Sequence, residues 1–194
     1  MPSEKTFDLD EAVGDAMNVF WCKGYEATSV SNLQEAMRIN KGSLYNAFGS
    51  KKELFKTAFL KFDREIRQRR LQSLASLDDA PRAIEKLFEG LIRESAADAE
   101  CKGCLIVNTA LEMPNHDDDV RELVFAALDD FEEFFKTMIL TGHRQGTIPR
   151  SVGAASTARA LLALVIGLRV MARSTSDAKE LRGIKVAALA LISG

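Results

Sequence analysis

Histidine is scarce in this 194-residue chain: there are two, His116 and His143. No Ser-His-Asp arrangement, metal-binding triad or glycine-rich phosphate loop appears in the sequence. Enzymatic activity, a cofactor and a bound metal are therefore not expected. Cysteine is also sparse. Cys22, Cys101 and Cys104 are odd in number and form no disulfide framework, so a reducing cytoplasm is the expected compartment. Four prolines and few β-branched runs leave helix as the default. No long hydrophobic run occurs. The longest, Ala160 to Leu168, lies between Arg159 and Arg169 and falls short of the roughly 20 residues a bilayer demands, so no membrane partner is expected. The opening residues MPSEKTFDLDEAV lack the apolar core of a secretory signal. Internal repeats and low-complexity segments are absent as well.

What is present suits a packed soluble chain of one domain or two small ones: 46% of residues are hydrophobic and 28% charged. The net charge of −2 argues against indiscriminate coating of nucleic acid. It conceals a local asymmetry. Residues 28–70 hold ten basic residues against four acidic ones, an excess that marks an electrostatic footprint for a polyanion.

The same stretch has an informative spacing. Thr28 or Ser29 can cap a helix in which Val30, Leu33, Ala36 and Met37 form an apolar stripe. Arg38, Ile39 and Asn40 make a turn, with Ile39 inward and Asn40 capping a second helix, Lys41 to Phe48. That helix is about two turns long. Leu44 and Phe48, four apart, face in. Lys41, Gly42, Ser43, Tyr45 and Asn46 face out, offering donors and a close backbone approach. Ser50 with Glu53 is a capping box opening the next helix at Lys51. Two short helices joined by a tight turn are the plan of a helix-turn-helix, which presents one helix to the DNA major groove. The alternative on spacing alone is an ordinary helical hairpin with a solvated face.

The rest of the chain reads as helices. The first runs from about Asp8 to Lys23 and ends at Gly24. An unbroken helix is expected from Lys51 to about Leu74, with Leu54, Phe55, Ala58, Phe59, Phe62 and Ile66 inward. Further helices follow over Pro81 to about Ala99, Cys104 to Met113, about Asp117 to His143, about Gly153 to Arg173, and about Asp177 to Ile192. Asp117 to Asp119 suit the positive end of their helix. The last two helices are apolar over much of their circumference, so they must be buried on two sides, by a partner subunit or by the chain's own core.

Phe20, Gly24-Tyr25-Glu26-Ala27-Thr28-Ser29-Val30, Ile39-Asn40-Lys41-Gly42-Ser43-Leu44-Tyr45, Phe48 and Ser50-Lys51-Lys52-Glu53-Leu54-Phe55 together resemble the N-terminal domain of TetR-type bacterial transcriptional regulators. The likeness covers roughly a quarter of the chain. Arg38 departs from it, standing where the family usually carries glycine. The resemblance implies an all-α fold: a three-helix DNA-binding domain over residues 1–50 and a helical effector-binding and dimerisation domain over 51–194, about nine helices in all. It implies a homodimer paired through the last two helices, a double-stranded operator as partner, and release of a palindromic site on binding a small effector. The expected DNA contacts are Thr28, Arg38, Lys41, Gly42, Ser43, Tyr45, Asn46 and Lys51, with Ser43 and Asn46 reading bases and Thr28, Tyr45 and Lys51 holding phosphates.

The segment Lys102 to Glu112 is similar to one found in a branch of the family that includes regulators responsive to reactive electrophiles. Cys101-Lys102-Gly103-Cys104 is a C-x-x-C without a second pair, so it makes no zinc site. Cys104 at a helix start beside Lys102 has the setting for thiolate character, or is simply a small buried residue; Cys22 is expected to pack. Phe88, Phe125, Phe131, Phe134 and Phe135 with Met113, Met138 and Met171 are core residues or the lining of an effector cavity. Asn108, Glu112 and His116, four apart, are polar candidates for that cavity or an exposed face. The effector set is thus Phe88, Cys104, Asn108, Glu112, Phe131 and Met138. A helical-bundle enzyme and a protein-interaction module remain open as other classes.

Overall fold

The computed structural model describes residues 7–100, 102–112, 117–174 and 177–194. Among them the chain is all helical, with no strand. Helix α1 is Leu9–Lys23, α2 Val30–Met37 and α3 Lys41–Phe48. Helix α4 is a single helical run in three parts: Lys51–Phe62, a π-helical turn Asp63–Gln68, and Arg69–Ala75. Then come α5 (Ala80–Ala97), α6 (Leu105–Leu111), α7 (Asp118–Gln145), α8 (Ala154–Met171) and α9 (Ala178–Ser193). With α4 taken as one helix, the described residues hold the expected nine.

The ends are written in local chemistry. The Asp8 carboxylate accepts from the Asp10 and Glu11 N–H groups and opens α1. Ser29 rather than Thr28 caps α2, in a reciprocal box with Asn32. Asn40, Ser50 and Asp79 cap α3, α4 and α5 by accepting from the Ser43, Glu53 and Arg82 N–H groups. Gly24 ends α1 at φ 81°, a left-handed value that glycine adopts without cost. A side chain there would also collide with the Glu112 carboxylate.

Helix α4 departs from the regular pattern expected of it. Arg67 and Gln68, four and five residues past Asp63, both bond its carboxylate, Gln68 Nε2 at 2.7 Å. A π turn is wide enough to bring both onto one acceptor. The periodicity of the apolar residues cannot report this, because it registers a buried face and not the polar contacts that reshape the ladder.

Two hydrophobic clusters fill the molecule. One joins α1 to α3 and the first part of α4 to α6 and the start of α7, with Phe20, Leu33, Leu44, Phe55 and Leu105 fully buried. The other joins α5 to the later part of α7 and to α8 and α9, around Leu87, Phe88, Phe135, Leu161 and Leu168. They meet at the π turn.

Helix α8 is apolar on more sides than one. Its 18 residues have a mean hydropathy of 1.6, and only 28% of them are buried within the chain. By length and composition it is long enough to cross a membrane, which the nine-residue run alone did not suggest. It packs instead between α7 and α9. Val170 and Met171 of α8 and Val186 (64% exposed) and Leu191 of α9 leave an apolar face uncovered in the single chain.

Candidate nucleic-acid interface and effector cavity

Helices α2 and α3 are joined by Arg38, Ile39 and Asn40. Ile39 N–H donates to Gln34 O at 3.2 Å and Arg38 N–H to Glu35 O at 3.3 Å, the paired bonds of a Schellman turn. That turn needs a left-handed residue, and Arg38 supplies it at φ 55°, ψ 36°. It is the only positive-φ residue other than glycine among those described. Leu44 is fully buried and pins α3 to the core of the head. Around it Lys41, Gly42, Tyr45 (39% exposed) and Asn46 are exposed, as the spacing required, while Ser43, expected to face out with them, is half-buried. Lys41 Nζ lies 5.9 Å from the Tyr45 ring. The result is a short, rigid polar ridge about 12 Å long, matched in width to a major groove.

Not every expected contact joins that ridge. Thr28 is 1% exposed and its hydroxyl donates to Gly24 O at 2.6 Å, so its side chain belongs to the fold. Lys51 is half-buried, 4.3 Å from the Tyr25 ring, where burial lowers its pKa against the pull of Glu26 and Glu112. The basic excess of residues 28–70 is also mostly spent internally. Lys52 and Lys56 pair with Asp117 and Asp119 at 2.9 and 2.8 Å, Lys61 with Asp10, Arg67 with Asp63, and Arg70 with Glu94. Of the basic residues beside the ridge, Arg38 and Lys41 make no ion pair among the described residues. Asp117 and Asp119 thus serve the head as well as their own helix end.

The effector candidates scatter. Phe88 is fully buried and stacked with Phe135, their centroids 6.2 Å apart, in the body core rather than on a cavity. Met138 borders an outer groove between α4 and α7. Phe125 and Met171 are exposed. Asn108 is buried in its own network, donating to Lys102 O at 2.7 Å and accepting from Arg173 at 3.4 Å. Glu112 accepts from Tyr25 N–H at 3.1 Å and so ties α6 to the head. Cys101, Met113 and His116 lie outside the described residues. Lys102 pairs with Glu100 at 2.8 Å and lies 5.8 Å from the Trp21 ring, so the expected lysine beside Cys104 is engaged elsewhere. Cys22, expected to pack, is exposed with its thiol 3.7 Å from Glu100; burial and then the Glu100 charge push its pKa up, against Lys102.

Cys104 and Phe131 do converge, on a largely enclosed cavity of about 30 Å³ between α4, α5, α6, α7 and α8. Phe62, Ile66, Ile106, Leu128 and Ile166 make it apolar; Arg67, Arg70, Glu94 and Arg169 make one end charged. Its volume is roughly one water's share of the liquid. A vestibule of about 500 Å³ shares Trp21, Ile66, Arg70, Glu94 and Arg169 with it and opens outward past Asp98 and Lys102. The arginines were not anticipated. The signal was Arg169 at the end of an apolar run, together with Arg67 and Arg70 one turn apart on α4.

Helix α6 connects cavity and head. Cys104, Ile106 and Val107 line the cavity. Trp21 Nε1 donates to Gly103 O at 3.2 Å before α6, and Glu112 holds Tyr25 N–H after it.

Comparison with known proteins agrees with this geometry. Residues 14–58 match the model of "Bacterial regulatory proteins, tetR family", and residues 80–187 match "Tetracyclin repressor-like, C-terminal domain". The chain is 26% identical over 183 residues to the HTH-type transcriptional regulator YezE of Bacillus subtilis, covering 94% of each. It is 24% identical over 181 residues to the HTH-type transcriptional repressor ComR of Escherichia coli, covering 93% of this chain and 86% of that one. In structure it is similar to a cysteine mutant of the TetR family regulator CifR complexed with a 26-base-pair operator, at TM-score 0.85 and 28% identity over 96% of this chain and 97% of that one. With more than half its length matched by one family model, the chain belongs to the tetR family of bacterial regulatory proteins, dimeric DNA-binding regulators that respond to small molecules and are not enzymes.

Proposed function

We propose that this protein is a cytoplasmic repressor that binds a palindromic operator as a homodimer and releases it when an effector enters the cavity. The observation that carries the reading is the exposed ridge of α3, with Lys41, Gly42, Tyr45 and Asn46 facing out from a buried Leu44. Ser43 and Asn46 read base edges; Tyr45, Lys41 and Arg38 contact phosphates. CifR, at 28% identity, is a relative that binds an operator duplex. The uncovered apolar face of α8 and α9 pairs with its copy, and two-fold symmetry then presents two heads to two half-sites.

Release follows from the wiring. An occupant that swells the cavity pushes on α6 and on the π turn of α4. Trp21 and Tyr25 carry that shift to α1 and the start of α2, changing the separation of the two heads. A coupling of about 1–3 kcal/mol alters affinity by roughly 5- to 150-fold, which suffices for a switch. Cys104, buried on the cavity wall, would let an electrophile small enough to reach it act in the same way.

The test is fluorescence anisotropy of the purified protein with the DNA upstream of its own gene, at two salt concentrations against scrambled competitor. Competitor-resistant binding that weakens with salt is expected. Tyr45→Ala should weaken it tenfold or more without changing the thermal melt. Selection of genomic fragments that recovers no sequence would sink the reading.

A further inference from the structure

A buried guanidinium with a spare donor is an odd thing to leave in a core. Arg67 is 3% exposed, and its Nε and Nη2 are taken up by Asp63 and Asp130. Its Nη1 is shielded from solvent and has no hydrogen-bond partner among the described residues. A buried donor left this way loses a bond that water supplied in the unfolded chain. Arg67 lines the cavity, and Arg70, one turn further along α4, lines it too. Arg169 arrives from α8.

Against these three guanidiniums the cavity lining offers a single carboxylate. Glu94 is shared, one oxygen to Arg70 and the other to Arg169 Nη2 at 2.7 Å. Asp63 and Asp130 stand behind Arg67 and do not line the cavity. Burial lowers the pKa of Arg70; Glu94 opposes the fall and the Arg169 charge adds to it. Counting Asp63 and Asp130, the charges balance, but among the described residues no acceptor on the cavity lining meets Arg67 Nη1. The remaining walls, among them Phe62, Leu128, Phe131 and Ile166, are apolar. In the vestibule the signs balance: Lys102 joins Arg70 and Arg169, while Asp98 and Glu100 join Glu94.

We infer that the effector is a small amphipathic carboxylic acid: its carboxylate accepts from the idle Nη1 of Arg67 and from Arg70, and its apolar part lies against Phe62, Leu128, Phe131 and Ile166. The inference rests on the regulator reading above and names the ligand class of that same cavity. A planar carboxylate matches the guanidinium fork, which a neutral amide of the same shape does not. Seating the acid enlarges a space that now holds about one water, and the segment that gives way is the π turn carrying Arg67. A ligand bond to Nη1 engages the same guanidinium that Asp63 holds through Nε and Nη2, so binding bears directly on the π turn of α4.

The experiment is calorimetric titration of the full-length protein with phenylacetate, hexanoate and octanoate, each beside its primary amide, and with acetate. At least one of the three acids should bind tenfold or more tightly than both its amide and acetate. Arg70→Gln should abolish that preference, bringing the acid's affinity down to that of its amide. Leu128→Trp, which fills the cavity and leaves the arginines in place, should remove binding of acid and amide alike. Both variants are checked by circular dichroism melts; should Arg70→Gln fail to fold, Arg70→Lys takes its place, keeping the charge but losing the planar fork, and should still reduce the preference. Equal binding of acid and amide, or binding of no acid, overturns the inference. Operator anisotropy on the same samples separates it from the regulator reading. DNA selection with no response to any acid leaves the regulator and removes this ligand class; acid binding by a protein that selects no DNA does the reverse.

Discussion

The two hydrophobic clusters of this molecule are built on different terms. In the head, Phe20, Tyr25, Phe55 and Phe59 interlock edge to face and stacked, with centroids 5.0 to 6.3 Å apart, and each of α1 to α4 begins on a side-chain cap. Its ion pairs lie on the outside. Where the body meets the head the order is reversed. Arg67, Asp63 and Arg169 are buried, Arg67 paired with Asp63 and Arg169 with the half-buried Glu94 that Arg70 also holds, and beside them is an apolar void. A reader of DNA must hold its ridge fixed, and dense packing does that. A switch must have a second arrangement within reach, and a void edged by desolvated charge supplies one, since such pairs contribute little net stability while costing much to break.

The sharpest way to break that contrast is Asp63→Ala. It leaves Arg67 buried with its main partner gone, and burial already works against a charge that Asp63 and Asp130 together hold above arginine's ordinary pKa. The loss should be about 3–5 kcal/mol in a urea titration. Asp63→Leu combined with Arg67→Met should recover most of it and straighten the π turn. A double variant no more stable than the single one would show that the turn, not the charge, is what the body requires.

The two regions also differ in how far the sequence discloses them. The head is legible because its signals are local. Caps at Ser29, Asn40 and Ser50 and the stripe from Val30 to Met37 act within a few residues, and they place α2 and α3 at their observed bounds. Thr28 is misread for the same reason: a hydroxyl near a helix start reads as exposed, and only the fold buries it against Gly24. The cavity is not legible, because its charged end is assembled from α4, α5 and α8, with Arg70 and Arg169 separated by 99 positions yet sharing Glu94. Asn108 and Glu112 looked like effector contacts by their spacing on one helix, while their partners, Arg173 and Tyr25, lie far away in the chain. A cut at residue 50 likewise follows the motif, whereas the head's core runs through α4 as far as Phe62.

A smaller effect tests the ridge itself. Arg38 holds a left-handed conformation that costs a non-glycine residue about 1–2 kcal/mol. Arg38→Gly removes that strain, though a more flexible unfolded chain offsets part of the gain. A net stabilisation of about 0.5–1 kcal/mol is expected in denaturant. Operator affinity should fall in the same variant, because the guanidinium beside the ridge is lost. A variant that is more stable and equally tight would remove Arg38 from the DNA interface and leave its strain without a purpose.

The smallest effect concerns the outer clasp between head and body. Lys56 donates to Asp119 at 2.8 Å and Lys52 to Asp117 at 2.9 Å, joining α4 to the start of α7 across exposed surface. The hydrogen bond from Lys56, opposed by partial burial and aided by the charges of Lys52 and Lys56, holds the Asp119 carboxyl below its ordinary value of 3.8. A carboxyl whose pKa is lower in the folded state contributes fully above its ordinary value, and the contribution fades as pH falls through the lowered one. Thermal melts of wild type and Asp119→Asn should therefore differ slightly at neutral pH and converge as pH falls below 3.8, with the difference also shrinking as salt is added. Lys56→Gln should show the same small loss, and the double variant no more than either alone. Additive losses would mean that the two charges act on the head separately, and the joint between reader and switch would then rest mainly on Trp21, Tyr25 and the hydrophobic cluster that α1 to α4 share with α6 and α7.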